Sequence, residues 1–309
     1  MTPGRFELLC ALERCPAGLS LEEAARQAGL PFPLAQLELN DLGSSNMIFS
    51  SAEGVWHIAQ AGLRALAPYR VKQAVILAAG FGSRLHPLTN HIPKPMISVN
   101  GVRIIDTLLD ALAQAEISEV HLIRGHLGEA FDALLEKYPA LQLTDNPLFA
   151  SSNNLSSALY AKKWLQNAYI CDADLLLLNP RLIRKYELRT NYLGCWCEQT
   201  DDWRFHVDGD CVIGASVGGR NCYRMFGLSY WNEADGRRLA EDIAQAAGTS
   251  WGREHFWDEV PLTLCKEHYH IALRTCRPQD ILEIDTLEEL AALDGSYRPL
   301  LAQHSSDPC

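Results

Sequence analysis

The chain has 309 residues, 48% hydrophobic and 21% charged, with a formal charge of -11. That apolar share supports a sizeable core in one large domain with a smaller companion, and the acidic balance excludes a polyanion as bulk partner, since clustered Lys and Arg hold phosphate backbones. No window approaches the roughly 18 uninterrupted apolar residues of a membrane span, and MTPGRFELLC lacks a charged-then-apolar leader, so a cytoplasmic location is expected.

Residues 1–70 read as helix, helix, helix, hairpin. Helical periodicity covers Phe6–Leu12, Ser20 caps LEEAARQAG with Gly29 closing it, a third helix runs from about Pro33 to Leu42, and two short β runs flank Ala52-Glu53-Gly54. The order resembles a winged helix. A DNA-reading version needs a basic third helix, yet residues 31–47 hold no Lys or Arg and do hold Glu38 and Asp41. Docking, dimerisation into a homo-oligomer or regulation is therefore expected of this module rather than DNA binding. AGLRALAPYRVK reads as a helix and linker into the second domain, residues 71–309.

From Lys72 the pattern becomes strand, loop, helix, repeated. QAVILAA, EVHLIRG, LQLTDN and NAYICDADLLLL read as strands, and IIDTLLDALAQA, LGEAFDALLEKY and LSSALYAKKWL as helices. Such alternation predicts an α/β domain with a mixed, mainly parallel sheet, whose ligands sit at the carboxyl ends of the strands. The ten cysteines are scattered, with no CxxC pair and no Cys/His grouping at zinc-ligand spacing, and are expected as free thiols.

The first strand breaks in LAAGFGSRLHPLTNHIPKP, residues 77–95. Gly80 and Gly82 let the backbone up to Ser83 approach a ligand closely and present successive N–H groups to phosphate oxygens. Arg84 adds a forked donor and Lys94 a point charge between Pro93 and Pro95. The set suits a nucleoside triphosphate. It is neither GxxxxGK[ST] nor GxGxxG, because Leu85 stands at the last glycine.

LAAGFGSRLHPLTNHIPKPMISVNG resembles the signature of the sugar-phosphate and related nucleotidyltransferases, which share a Rossmann-like catalytic domain. NPLFASSNNLSSALYAKKWL, AYICDADLLL, WRFHVDGD, FGLSYWNEAD, FWDEV and ILEIDTLEEL are similar, in the same order, to bacterial CTP:phosphocholine cytidylyltransferases. The likeness covers roughly residues 72–295 and leaves the first domain untouched. It implies attack by an acceptor phosphate oxygen on the α-phosphorus of CTP, giving a CDP-linked amino alcohol, most simply CDP-choline from phosphocholine, and pyrophosphate. In that pattern the Gly80–Arg84 loop holds the triphosphate and Lys94 lies beside the α-phosphate.

Such chemistry rests on Mg²⁺ and fixed cations, and Mg²⁺ takes carboxylate oxygens with water and phosphate. Asp172 and Asp174, with one residue between them, are expected not to point the same way, and Asp174 is preferred as ligand. Asp285 matches the family's late metal ligand, and Glu283 shares its face, although Asp285 is also well placed to cap TLEELAAL. Nucleobase recognition is expected from the backbone near Leu77–Gly80, Ala79 included, and from Asn153, Asn154 and Ser157. For the acceptor, Trp203, Trp257 and Tyr230 are candidate walls and Glu254 or Asp258 a counter-ion, because aromatic faces and a carboxylate recognise quaternary ammonium. Phe256, where a tyrosine would be unsurprising, and an added acid keep 2-aminoethylphosphonate and phosphoethanolamine in view. A sugar-1-phosphate enzyme fits the tryptophans less well, and a DNA-binding regulator has no use for Lys94 and two metal carboxylates.

Overall fold

The structure, a computed structural model, describes residues 1–304 and forms two compact units. The first comprises Met1–Arg70 with Tyr186–Leu188. Helices α1 (Pro3–Glu13), α2 (Leu21–Ala28) and α3 (Phe32–Ser44) precede an antiparallel hairpin of β1 (Ile48–Ser50) and β2 (Trp56–Ile58), then α4 (Gln60–Leu66). Ser20 and Glu23 form a reciprocal capping box on α2, and Gly29 closes that helix in the left-handed region. Phe6, Leu8, Leu9, Leu39 and Leu42 fill the core together with Tyr186. The acids of α3 have a local partner: Arg5 donates from Nε to Glu38 and from Nη2 to Asp41, each at 2.7 Å. Nothing in the sequence marks Tyr186–Leu188 as part of this unit.

The second unit holds a seven-stranded mixed sheet of β3 (Gln73–Ala78), β6 (Glu119–Arg124), β7 (Gln142–Asp145), β8 (Ala168–Asp172), β10 (Asn191–Asp208), β11 (Cys211–Trp231) and β12 (Ile271–Cys276). Two small ribbons, β4 (Ser98–Val99) with β5 (Val102–Arg103) and β9 (Leu175–Leu177) with β13 (Ile281–Glu283), stand beside it. The order is β10-β12-β11-β8-β3-β6-β7; β3, β6, β7 and β8 run parallel and β11 runs antiparallel to β8. Helix α5 (Ile104–Gln114) packs Ile105, Leu108 and Leu112 on one face. Helices α6 (Leu155–Ala161) and α7 (Glu233–Ala247) pack Leu155, Leu239 and Ile243 on the other. This is the Rossmann-like α/β arrangement, with helices α8 (Ser250–Glu254) and α9 (Leu287–Leu293) outside the sheet.

LGEAFDALLEKY departs from expectation: Gly128–Leu134 is 3₁₀ rather than α. Arg124 donates from Nη1 to the Gly128 carbonyl and to Asp132, taking an acceptor that an α-helical turn would use. No helix among the described residues is long and apolar enough to cross a membrane, and nine described cysteines are free.

Candidate active site

Strand order reverses at β3, which pairs β6 on one side and β8 on the other. A crevice opens outside the carboxyl ends of strands at such a point, and a cavity of about 780 Å³ lies there. The Leu77–Arg84 segment forms one wall of it. Gly82 adopts φ +63, and a Cβ there would press on Lys94 Cβ and Thr89 Cγ2 at 3.1 Å. The Thr89 hydroxyl donates to the Gly82 carbonyl at 3.0 Å and pins the turn. Glycine is thus required for the chain to pass between Thr89 and the lysine.

Lys94 sits in the 3₁₀ turn Lys94–Met96, buried, and its ammonium donates to Asp174 Oδ2 at 2.6 Å and Asp285 Oδ1 at 2.8 Å. Arg84 Nη2 reaches the same Asp285 oxygen at 2.8 Å. Burial pulls the Lys94 ammonium toward losing its proton, but Asp174 and Asp285 outweigh it and the net shift is upward. Lys94 therefore stays charged.

Asp174, Glu283 and Asp285 bring one carboxylate oxygen each within 4.8 Å of one another. Burial, then repulsion from Asp174 and Asp285, pushes the Glu283 carboxyl up to about 8. So much crowded negative charge fits a divalent cation with oxygen ligands. Asp285 is not a helix cap: Thr286 caps α9 in a box with Glu289, leaving the Asp285 carboxylate to the lysine and arginine.

Asp172 and Asp174 both line the cavity, which corrects the expectation that they diverge. Asp172 ends β8 and Asp174 sits in the turn before β9, so strand alternation does not set their relative direction. Burial first, then Asp258, Asp174 and Glu283, raises the Asp172 carboxyl well above its ordinary range. Gly227 on β11 makes room for it, since a Cβ there would fall 1.8 Å from Asp172 Oδ2.

Asn153, Asn154 and Ser157 also line the cavity. Asn153 donates from Nδ2 to the Glu254 carbonyl at 3.2 Å, and Asn154 Oδ1 accepts the Trp257 N–H at 2.9 Å. Neither side chain caps α6. Both tie the 253–257 segment to the cavity rim, and Asn154 keeps Nδ2 as a donor. Ser157 Oγ accepts from Asn146 Nδ2 at 3.0 Å.

The nucleotidyl transferase family model matches residues 73–188. The 2-aminoethylphosphonate cytidylyltransferase of Lancefieldella rimae is 36% identical over 232 residues, covering 74% of this chain and 94% of that protein. The choline-phosphate cytidylyltransferase of Streptococcus pneumoniae is 31% identical over 228 residues, covering 72% and 96%. The chain is a cytidylyltransferase of the nucleotidyl transferase family. A solved structure of the CTP:phosphocholine cytidylyltransferase from Streptococcus pneumoniae superposes with TM-score 0.68 at 29% identity, covering 74% of this chain and 99% of that one.

In this cytidylyltransferase, three expected acceptor residues lie elsewhere. Tyr230 is buried in the core, edge-on to Tyr169, with its hydroxyl donating to Asn167 Oδ1 at 2.9 Å. Trp257 is 1% exposed and stacks on Tyr192. Glu254 is exposed and does not line the cavity. Aromatic residues on strands and packed helices have the hydrophobic core as their default place, and the sequence pattern does not separate core from wall. Trp203 does line the cavity, edge-to-face with Phe256 at 6.2 Å between ring centres. Asp202, Asp258 and Glu259 line it as well.

Asp202, Gly227 and Arg224 were not legible beforehand. Arg224 Nη2 bridges Asp202 at 3.1 Å and Glu283 at 3.4 Å, linking the acceptor candidates to the acidic cluster. The one available signal was a glycine inside the strand pattern FGLSYW, which marks close approach by another group.

Proposed function

We propose that this cytidylyltransferase couples CTP to 2-aminoethylphosphonate, releasing pyrophosphate. A phosphonate oxygen forms the new bond to the α-phosphorus, and the bond from that phosphorus to the bridging oxygen of the β-phosphate breaks. The acceptor is already anionic, so no general base is needed. Lys94, Arg84 and the Gly80–Arg84 backbone hold the triphosphate, and Asn154 Nδ2 donates to an acceptor atom of the cytosine ring.

Asp174, Asp285 and Glu283 would hold Mg²⁺, which when bound neutralises charge on the α-phosphate and pyrophosphate oxygens. Lys94 supplies fixed positive charge at the same place. Because Asp174 and Asp285 clamp its ammonium, little reorganisation accompanies the reaction.

One observation carries the choice of acceptor. Trp203 and Phe256 are accompanied along the cavity by Asp202, Asp258 and Glu259, while Tyr230 and Trp257 are withdrawn into the core. A primary ammonium has three N–H donors and calls for carboxylate oxygens, whereas trimethylammonium has none and calls for an aromatic cage. The balance favours the primary amine. The test is pyrophosphate release with CTP, UTP and dTTP against 2-aminoethylphosphonate, phosphoethanolamine, phosphocholine and glucose 1-phosphate. The highest kcat/KM is expected for CTP with 2-aminoethylphosphonate, and phosphocholine as the best acceptor overturns the assignment.

A further inference from the structure

Asp242, Cys265 and His268 lie away from the active-site acids and are drawn together by two separate segments. Each offers one ligand atom, and the three atoms lie within 4.8 Å of one another. Asp242 comes from α7, where it is buried among apolar neighbours. Cys265 and His268 come from the turn after the π-helical stretch Val260–Leu264. That turn is closed by backbone bonds from Cys265 N to the Val260 carbonyl at 2.8 Å and from His268 N to the Cys265 carbonyl at 2.9 Å. His268 Nδ1 meets Asp242 Oδ2 at 2.8 Å, and the Tyr269 hydroxyl donates to the same oxygen.

Cys265 and His268 are three residues apart, and the chain offers no second such pair nearby, so the spacing rule passes over them. Folding supplies the third ligand from a preceding helix. One sulfur, one imidazole nitrogen and one carboxylate oxygen make a borderline-soft set, suited to Zn²⁺ and poorly suited to Mg²⁺ or Ca²⁺. A tetrahedral ion with bonds of about 2.0–2.3 Å needs its ligands roughly 3.5 Å apart, and the His268 Nδ1 to Asp242 Oδ2 contact at 2.8 Å opens slightly to admit it. The His268 side chain is 44% exposed, which leaves a path for entry and room for water as fourth ligand.

We propose that Asp242, Cys265 and His268 form a zinc site that fastens α7 to the 260–269 segment, whose Leu262 and Thr263 line the active-site cavity. On binding, the Cys265 thiol proton leaves to solvent. The imidazole proton shared with Asp242 moves to the other ring nitrogen, and Asp242 exchanges that hydrogen bond for a metal bond.

Cobalt(II) added to the full chain tests this, because a thiolate-to-cobalt charge-transfer band in the near ultraviolet cannot arise from the carboxylates of the active site. The band is expected in the wild type and in Cys197→Ser, and is expected to be lost in Cys265→Ser. Should Cys265→Ser fail to fold, His268→Ala, at a half-exposed position, decides by weakening Co²⁺ and Zn²⁺ binding at least about tenfold. Absence of the band in the wild type, its survival in Cys265→Ser, or unchanged affinity in His268→Ala overturns the site.

Discussion

Lys94 and Asp285 are 191 positions apart in the chain and meet at 2.8 Å. Asp285 takes Arg84 on the same oxygen, so both cations of the glycine-rich loop and its proline-bounded extension converge on one acid. Replacing Lys94 by Met removes fixed positive charge from the cavity and leaves Asp174 and Asp285 without it. We expect kcat to fall about 10²–10³-fold, the scale seen when one preorganised electrostatic group is lost. Pyrophosphate release at saturating CTP and acceptor measures it, and a loss below tenfold would detach Lys94 from the reaction.

Asp174→Asn tests the metal assignment. With one of three clustered carboxylates neutralised, the Mg²⁺ concentration giving half-maximal turnover should rise at least about tenfold, and kcat should fall. Chelation by EDTA should stop the wild type while its circular dichroism stays unchanged. Mg²⁺ dependence in the variant identical to that of the wild type would remove Asp174 from the ligand set.

Trp203 and Tyr230 separate wall from core. Trp203→Ala should raise KM for the acceptor about tenfold, with KM for CTP unchanged, because an aromatic face beside a cation contributes on the order of 1–2 kcal/mol. Tyr230→Phe should leave both KM values alone and lower stability by about 1 kcal/mol through the hydrogen bond to Asn167. A Tyr230 variant with an acceptor KM defect would return that ring to the site.

Asp258 provides a pH test. Burial pushes its carboxyl up to about 7 from an ordinary 3.8, against the opposing hydrogen bond from Tyr192. Between those values the folded state keeps a proton that the unfolded state has released. This contribution to stability is therefore full at low pH and is lost as pH rises from about 4 to 7, at up to roughly 1.4 kcal/mol per pH unit. Asp258→Asn should flatten the dependence of urea-unfolding free energy on pH across that window. Parallel curves for the two proteins would show that Asp258 titrates normally.

Some of this was legible because the physics is local. Ser20 with Glu23 and Gly29 bound α2 through caps that lie within one turn. The glycines and cations of residues 77–95 stand out through residue type and order, and all of the residues expected for nucleotide and metal line one cavity. The 3₁₀ turn at Gly128–Leu134 escaped because its competitor, Arg124, comes from the preceding strand.

The sequence by itself determined the alternation of elements, the glycine-rich break after β3 and the acids at the ends of β8 and β13, since those depend on near neighbours and side-chain chemistry. Only the tertiary structure decided which aromatic rings face the cavity. It also placed Asp172 and Asp174 on one side, made room for Asp172 at Gly227, and carried Asp242 to Cys265 and His268. Those outcomes turn on which surfaces are left after the sheet's two faces are covered, and period and composition do not encode that remainder.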